Sequence, residues 1–393
     1  MKPLVQEVGQ VFQQHFGKEY KIILSPGRIN LIGEHTDYNN GYVLPAAVDK
    51  YIVLAMQPNN LNQLRFKALD MDDHFEKDLA FPLQQSQKRW ANYLLGVIDQ
   101  LQEKRYTIQG FDCVFGGNIP IGAGMSSSAA LEAGIVYGLN VLFDLGLSTM
   151  DMVRIAQNAE NQFVGVQCGI MDQFACMFGK QHHAIRLDCQ TLKHQYIPLL
   201  DEDIRVVICD TGVRRELASS EYNIRREQCE EGVQVLKKYH PEVCSLRDIT
   251  LDLLIEHHAD LDPVVFKRCR YVIEENDRVL QACEHLRNND FPSFGDLMFR
   301  SHKGLQEEYE VSCPELNILV EIAKNIEGII GSRMMGGGFG GCTINLVKEE
   351  QLHPFIQQIE NKYRKKTGLD ANVYVTMISE GTKTLHHAFG KEK

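Results

Sequence analysis

The stretch GRINLIGEHTDYNNG (27–41) follows Arg28 with Glu34, His35 and Asp37 inside four positions, between Gly33 and Gly41. Carboxylates accept hydrogen bonds in pairs, and a neutral imidazole donates at one nitrogen and accepts at the other. A surface turn could be as polar, but it would not need those side chains in that order behind the apolar step Ile29–Ile32. The question it poses is what the loop holds.

A second chemical signal is GGNIPIGAGMSSSAALE (116–132), where a strand ending at Phe115 runs through a Gly-Pro loop into three serines and a helix. Ser126, Ser127 and Ser128 are expected to cap that helix, and Gly122 and Gly124 let backbone N–H groups converge. A helix N-terminus with free donors and partial positive charge suits a phosphate; an ordinary structural loop with a serine cap is the alternative. A Walker A loop needs G-x-x-x-x-G-K-[ST], and Ala123 stands where its lysine should follow Gly122. GGGFGG (336–341) matches the dinucleotide pattern G-x-G-x-x-G, but CTINLV after it reads as a strand where that motif demands a helix.

Between these lies STMDMVRIAQNAENQFVGVQCGIMDQFACMFG (148–179). Ser148 and Asp151 form a capping box, and Met152, Ile155, Ala159 and Phe163 make an apolar stripe. Glu160 falls at the edge of that stripe, where a bare carboxylate is expensive to desolvate. A magnesium ion, a buried arginine or a tilt toward solvent would each resolve the conflict. The chain turns after Gly165. Gly169 is expected to begin a second short helix with Asp172 in its first turn, a place where an acid often does no more than complement the helix dipole.

These residues need a scaffold, and the chain is long enough to supply one. At 393 residues it exceeds the ~250–300 that one core usually reaches. KIIL, YIVLAM and FDCVF read as strands and SSAALEAGIVYGLNVLFDL as a helix; a second start at IRVVICDTG (204–212) sets a boundary near residue 200, giving units 1–200 and 201–393. Helices dominate the second unit to about residue 310, before strands return at CTINLV and ANVYVTMI. The expectation is an α+β fold of two domains with a cleft between them.

Composition narrows the partners. The chain carries 41 basic and 52 acidic residues, a net charge of −11, and no basic tract, which argues against nucleic acid or an anionic membrane. MKPLVQEVGQVFQQHF has helical spacing at Val5, Val8, Phe12 and Phe16 rather than a signal-peptide core, and no apolar run reaches the ~18 residues of a membrane span. The eleven cysteines are scattered with no C-x-x-C, and the fourteen histidines form no metal-spaced cluster. Reduced thiols in a cytoplasm are the expectation.

In order and spacing, GRINLIGEHTDYNNGYVLP, PIGAGMSSSAALE, CGIMDQF and SRMMGGGFGGCT resemble the signatures of the galactokinases. These belong to the superfamily that includes homoserine, mevalonate and phosphomevalonate kinases. RWANY (89–93), ASSEYNIRREQCEE (218–231) and VSCPEL (311–316) extend the resemblance over essentially the whole chain. The serine loop and the late glycine loop mark the superfamily; GEHTDYN marks galactokinases and their nearest sugar-kinase relatives.

The resemblance implies a two-domain small-molecule kinase fold with mixed or antiparallel sheets and an active site in the inter-domain cleft. It implies phosphoryl transfer from ATP to the C1 hydroxyl of α-D-galactose; the expected working unit is a monomer. Glu34 and His35 would take the hydroxymethyl end of the sugar and Asp37 the neighbouring ring hydroxyls, with the Gly169 backbone and the Tyr222 hydroxyl completing the pocket. Arg28 and Asp172 would face the anomeric hydroxyl, Asp172 as base. Gly122, Gly124 and Ser126–Ser128 would cradle ATP phosphates, Ser128 and Glu160 would hold Mg²⁺, and Trp90 would lie near the adenine. Gly336–Gly341 would pack backbone to backbone on the phosphate loop. An arginine and a helix N-terminus beside Asp172 both favour its charged form and weaken it as a base. If the transition state is loose, the proton leaves late and Asp172 chiefly orients the hydroxyl. The alternatives are a kinase for N-acetylgalactosamine, arabinose or galacturonate, and a sensor that binds galactose and ATP without turnover.

Overall fold

The computed structural model describes residues 1–17, 19–79, 82–120, 122–199, 203–214 and 218–385, without the side chains of 218–220. Its strands in chain order are β1 (Lys21–Asn30), β2 (Tyr42–Val43), β3 (Pro45–Pro58), β4 (Gln63–Ala68), β5 (Asp73–Asp78), β6 (Phe111–Gly117), β7 (His183–Asp188), β8 (His194–Pro198), β9 (Ile204–Asp210), β10 (Ile329–Met335), β11 (Cys342–Lys348), β12 (Asn372–Thr376) and β13 (Lys383–Leu385). They form a six-stranded sheet ordered β13-β1-β3-β6-β4-β5, a four-stranded sheet β10-β11-β9-β12 and a three-stranded sheet β2-β7-β8. The pairings are antiparallel except β4 with β6, which makes the first sheet mixed.

The continuous apolar runs of β1 and β3 follow from burial on both faces. Alternate side chains of a strand point to opposite sides. Ile22, Leu24, Val53 and Ala55 therefore pack against Val5, Val8 and Phe12 of the helix Lys2–His15. Ile23, Leu54 and Met56 join the cluster on the other face, beneath the helix Ser127–Phe143. The four-stranded sheet repeats the arrangement. Val207, Cys209 and Val347 meet the helices Pro314–Lys324 and Leu352–Thr367, while Val206, Ile208, Ile344 and Leu346 belong to the same apolar cluster as the first sheet's helical face. One core thus runs through both halves of the chain and fixes the walls of the cleft.

The stretches KIIL, YIVLAM, FDCVF, IRVVICD and CTINLV all lie in strands, and ANVYVTMI contributes Asn372–Thr376. A division near residue 200 sets the four-stranded sheet apart from the other two, but the chain then crosses back. Ile22, Ile23 and Leu24 pair with Leu385, Thr384 and Lys383, and Val48 bridges Ile378. β13, the last strand among the described residues, therefore covers the edge that β1 would otherwise leave open, the usual way a sheet protects unpaired backbone groups.

Candidate active site

Segments distant in sequence meet in one cleft. β1 delivers Arg28, and the bend after it carries Glu34 and His35 into a single turn at Asp37–Asn39. The helix Met171–Phe178 presents Asp172 in its first turn, two residues later than the expected start at Gly169. The helix Ala218–Lys237 brings Tyr222, and the loop between β10 and β11 brings Gly336 and Gly337. Together with Glu160, Cys168 and Gly169 they line a cavity of about 520 Å³, a size that suits a small-molecule ligand.

At the floor of this cavity Arg28 donates to both oxygens of Asp172, Nε to Oδ1 and Nη2 to Oδ2, each at 2.7 Å. The third arm of the guanidinium, Nη1, donates to the Gly124 carbonyl. The fork therefore ties the acid to the glycine-rich loop, with the bidentate geometry that gives arginine–carboxylate pairs their directionality.

The serines act differently from expectation. Ser126 precedes the helix Ser127–Phe143 in a left-handed backbone conformation (φ +52°) and does not cap it. Its hydroxyl donates to Asp172 Oδ2 instead. Ser127 is the first helical residue, and the Ser128 hydroxyl faces Glu160 and favours its charged form. Because no serine side chain caps the helix, its leading N–H groups stay open to an anion. Gly122 and Gly124 both adopt positive φ, +75° and +67°. The late glycine loop faces them at ordinary contact distance: a Cβ on Gly336 would lie 4.0 Å from the Gly124 Cα, and one on Gly341 3.9 Å from the Gly122 carbonyl oxygen, so positive φ at both (+85° and +82°) rather than backbone-to-backbone packing calls for glycine there.

Each acidic-loop side chain is held. Glu34 Oε1 accepts from Arg333 Nη2 at 3.1 Å and from the Gly336 N–H at 2.8 Å. His35 Nδ1 lies 2.7 Å from the Tyr38 hydroxyl, which lies 2.8 Å from that of Tyr309. The His35 Nε2 is buried without a protein partner. Burial pushes this imidazole down to about 3, against an opposing contact with the Gly337 backbone and with Arg225 and Arg333 adding to the effect, so it is neutral, with Nε2 left to offer a ligand. Burial, with Asp172 and Glu34 nearby, pushes the Asp37 carboxyl up to about 7. A Cβ on Gly169 would overlap the Asp37 carboxylate, so only glycine leaves that wall open. Tyr222 is half-buried, packed against His35 and Tyr38, with ring centroids at 5.4 and 5.3 Å. Burial, then the Asp37 charge, raises its phenol well above its ordinary value.

The capping box of Ser148 and Asp151 starts the helix Thr149–Asn158 as its spacing indicates. The backbone then widens into a π-helical turn over Ala159–Val164, which turns Glu160 inward and buries it. That rules out the tilt toward solvent. Its partners are Ser128, Gln173 Nε2 at 2.7 Å and Cys168 Sγ at 3.4 Å, rather than an arginine. Burial raises its carboxyl, and Asp172 adds to the effect. A buried carboxylate beside a hydroxyl is an oxygen donor set that fits Mg²⁺.

Glu132 and Gln173, which no sequence motif singled out for a role, complete this corner. Gln173 Nε2 reaches Glu132 Oε2 at 3.1 Å, while Glu132 Oε1 and Gln173 Oε1 are buried without partners. The available signal was spacing, since Ser128 and Glu132 are four apart and share a helix face. Arg333 with Glu34 and the Tyr38–Tyr309 pair carry no local signature, being contacts across more than 250 positions. Trp90 is not among the cavity-lining residues. Its indole N–H donates to Asp73 Oδ2 at 2.9 Å, and its ring packs on Phe115, 5.5 Å between centroids, just ahead of the glycine-rich loop.

Three family descriptions match the chain: the galactokinase galactose-binding signature over residues 10–58, the GHMP kinases N terminal domain over 92–180 and the GHMP kinases C terminal over 279–365. The chain is 40% identical over 378 residues to the galactokinase of Roseiflexus sp. (strain RS-1), covering 95% of this chain and 96% of the relative. It is also 40% identical over 386 residues to the galactokinase of Bacillus subtilis (strain 168), covering 97% and 99%. The crystal structure of Lactococcus lactis galactokinase complexed with galactose superimposes with a TM-score of 0.93 at 34% identity, over 97% of this chain and 100% of that one. The Methanococcus jannaschii mevalonate kinase shares the fold, with a TM-score of 0.65 at 16% identity over 92% and 99% of the two chains.

Proposed function

The chain belongs to the galactokinase family, and from that premise we infer that its cleft transfers the γ-phosphoryl group of ATP to the C1 hydroxyl of α-D-galactose, giving galactose 1-phosphate and ADP. The observation that carries the site assignment is the Arg28–Asp172 fork at the floor of a cavity bordered by Glu34, His35 and Asp37.

Glu34 and His35 take the hydroxymethyl end of the sugar, and Asp37 takes ring hydroxyls, including the axial one that separates galactose from glucose. The Gly169 backbone and the Tyr222 hydroxyl close the pocket. Arg28 and Ser126 hold the Asp172 carboxylate in one orientation, so that it aligns the C1 hydroxyl and accepts its proton. In an in-line phosphoryl transfer the protein mostly positions groups and neutralises charge. The Gly122–Gly124 turn, Ser126, Ser127 and the uncapped start of the following helix provide the phosphate cradle, and Trp90 stands behind it toward the adenine. Ser128 and Glu160 would hold Mg²⁺, with phosphate and water oxygens filling the remaining positions. When bound, the ion neutralises charge on the phosphates. Neutral His35 beside the acidic Glu34 and Asp37 makes a site that recognises hydroxyls rather than a charged sugar acid.

Among the described residues no helix is long and apolar enough to cross a membrane. All eleven cysteines are unpaired, which supports a reducing, cytoplasmic setting, and we read the working unit as a monomer. The test is ATP consumption across D-galactose, D-glucose, N-acetylgalactosamine, arabinose and galacturonate, with the product identified by NMR. Galactose 1-phosphate should be the dominant product. Comparable kcat/KM for glucose would contradict the assignment, because a polar site loses its pairing when one hydroxyl moves.

A further inference from the structure

We propose that Arg333 is a positioning residue that fixes the Glu34 carboxylate with one oxygen toward the sugar, and so sets this enzyme's demand for a hydroxyl at C6. The inference rests on the galactokinase reading above and deepens it.

Arg333 is fully buried on β10, far from Glu34 in sequence. Its guanidinium donates through Nε to the Leu31 carbonyl at 2.8 Å, through Nη2 to the Asn30 carbonyl at 2.6 Å and through Nη1 to the Met334 carbonyl at 2.7 Å. Three carbonyls, at the end of β1, just beyond it and on β10, fix the plane of the group before it meets a carboxylate. In that plane Nη2 also reaches Glu34 Oε1, and the Gly336 N–H donates to the same oxygen. Two donors occupy Oε1, leaving Oε2 as the acceptor that Glu34 offers the cavity it lines.

The backbone around Glu34 is held just as firmly from the opposite side. Tyr271 Oη donates to the Glu34 carbonyl at 3.1 Å, and the Gly33 N–H donates to Glu275 Oε1 at 2.9 Å. A strut that only braced the end of β1 would need the carbonyl contacts alone; the fourth contact, on Glu34, is what bears on recognition. A carboxylate locked in this way has no freedom to turn away when its partner is missing. It pairs with an O–H at C6, is left unpaired by a methyl group and repels a carboxylate. A polar site rejects analogues that lack the matching group far more strongly than an apolar one does.

The experiment compares wild type with Arg333→Lys, Arg333→Met and Glu34→Ala, measuring dissociation constants for D-galactose and 6-deoxy-D-galactose by calorimetric competition, and for ATP separately. Lysine keeps the charge but cannot reproduce the planar fork. Both Arg333 variants should lower the preference for galactose over its 6-deoxy analogue at least tenfold while ATP affinity stays unchanged. In the Glu34→Ala background Arg333→Lys should alter that preference no further. An equal loss for both sugars, an unchanged preference, or an added loss in the Glu34→Ala background would overturn the proposal. If Arg333→Met does not fold, Arg333→Lys gives the same ratio. Absence of galactose phosphorylation by the wild type would instead defeat the functional reading.

Discussion

Arg28 and Asp172 meet edge to edge, both guanidinium–carboxylate distances being 2.7 Å, and the remaining arm of Arg28 ends on the Gly124 carbonyl. The group that handles the anomeric proton is thereby held to the loop that handles phosphate. Arg28→Lys preserves the positive charge but offers one compact donor group instead of a fork. Since small misplacements at a reacting centre cost up to ~10²-fold, kcat should fall by about that factor while ATP affinity changes little. Steady-state kinetics with each substrate varied would check this.

Asp37 makes galactose binding depend on pH. Its carboxyl stands near 7 because it is buried beside Asp172 and Glu34, and sugar hydroxyls donate more strongly to a carboxylate than to a neutral acid. Galactose affinity should therefore rise as pH increases through 7, and that rise should disappear in Asp37→Asn. The stability effect runs the other way. With a folded value above the unfolded ~3.9, the group's contribution is complete below the unfolded value and is lost as pH climbs through about 7. The Tm of Asp37→Asn relative to wild type should thus be higher at pH 8 than at pH 5.

Glu160 is the charged side of the expected metal site, and its contacts with Ser128 and Gln173 can survive loss of charge. Glu160→Gln should retain the fold, raise the Mg²⁺ concentration needed for half-maximal rate roughly tenfold or more, and weaken Mn²⁺ binding as seen by electron paramagnetic resonance. An unchanged metal titration would leave Glu160 a purely structural acid.

Gly169→Ala tests the wall opposite Asp37. The added methyl would overlap the Asp37 carboxylate, which must swing into the space meant for the sugar. Galactose KM should increase by roughly 10-fold or more, with ATP KM and Tm near wild type.

Much of this was legible in the sequence because motif and backbone coincide. The β-branched runs of β1, β3 and β9 are continuous where a sheet is covered on both faces, and the capping box at Ser148 lies where its spacing set it. The acidic loop, Asp172 and Tyr222 likewise converge on one cavity. What could not be read depends on pairings without local cause. The serines look like caps from spacing alone, yet Ser126 and Ser128 turn to Asp172 and Glu160, because those acids arrive from two other elements and bind more strongly than a backbone N–H. Glu160 falls at the edge of a 3.6-residue stripe, but the π-helical turn shifts the phase and buries it. The return of β13 to β1 has no composition signal, since its three described residues are too few to carry a pattern.

The most direct measurement is single-turnover formation of galactose 1-phosphate by wild type and Asp172→Asn, at saturating galactose, ATP and Mg²⁺. The asparagine keeps the shape and one acceptor oxygen but loses the charge and most of the basicity. The wild type should form galactose 1-phosphate in one fast phase, and the variant should be slower by about 10²–10⁴-fold, with ATP affinity retained. Equal rates in the two proteins, whether both fast or both absent, would contradict the role of Asp172, and absence in the wild type would contradict catalysis by this cleft.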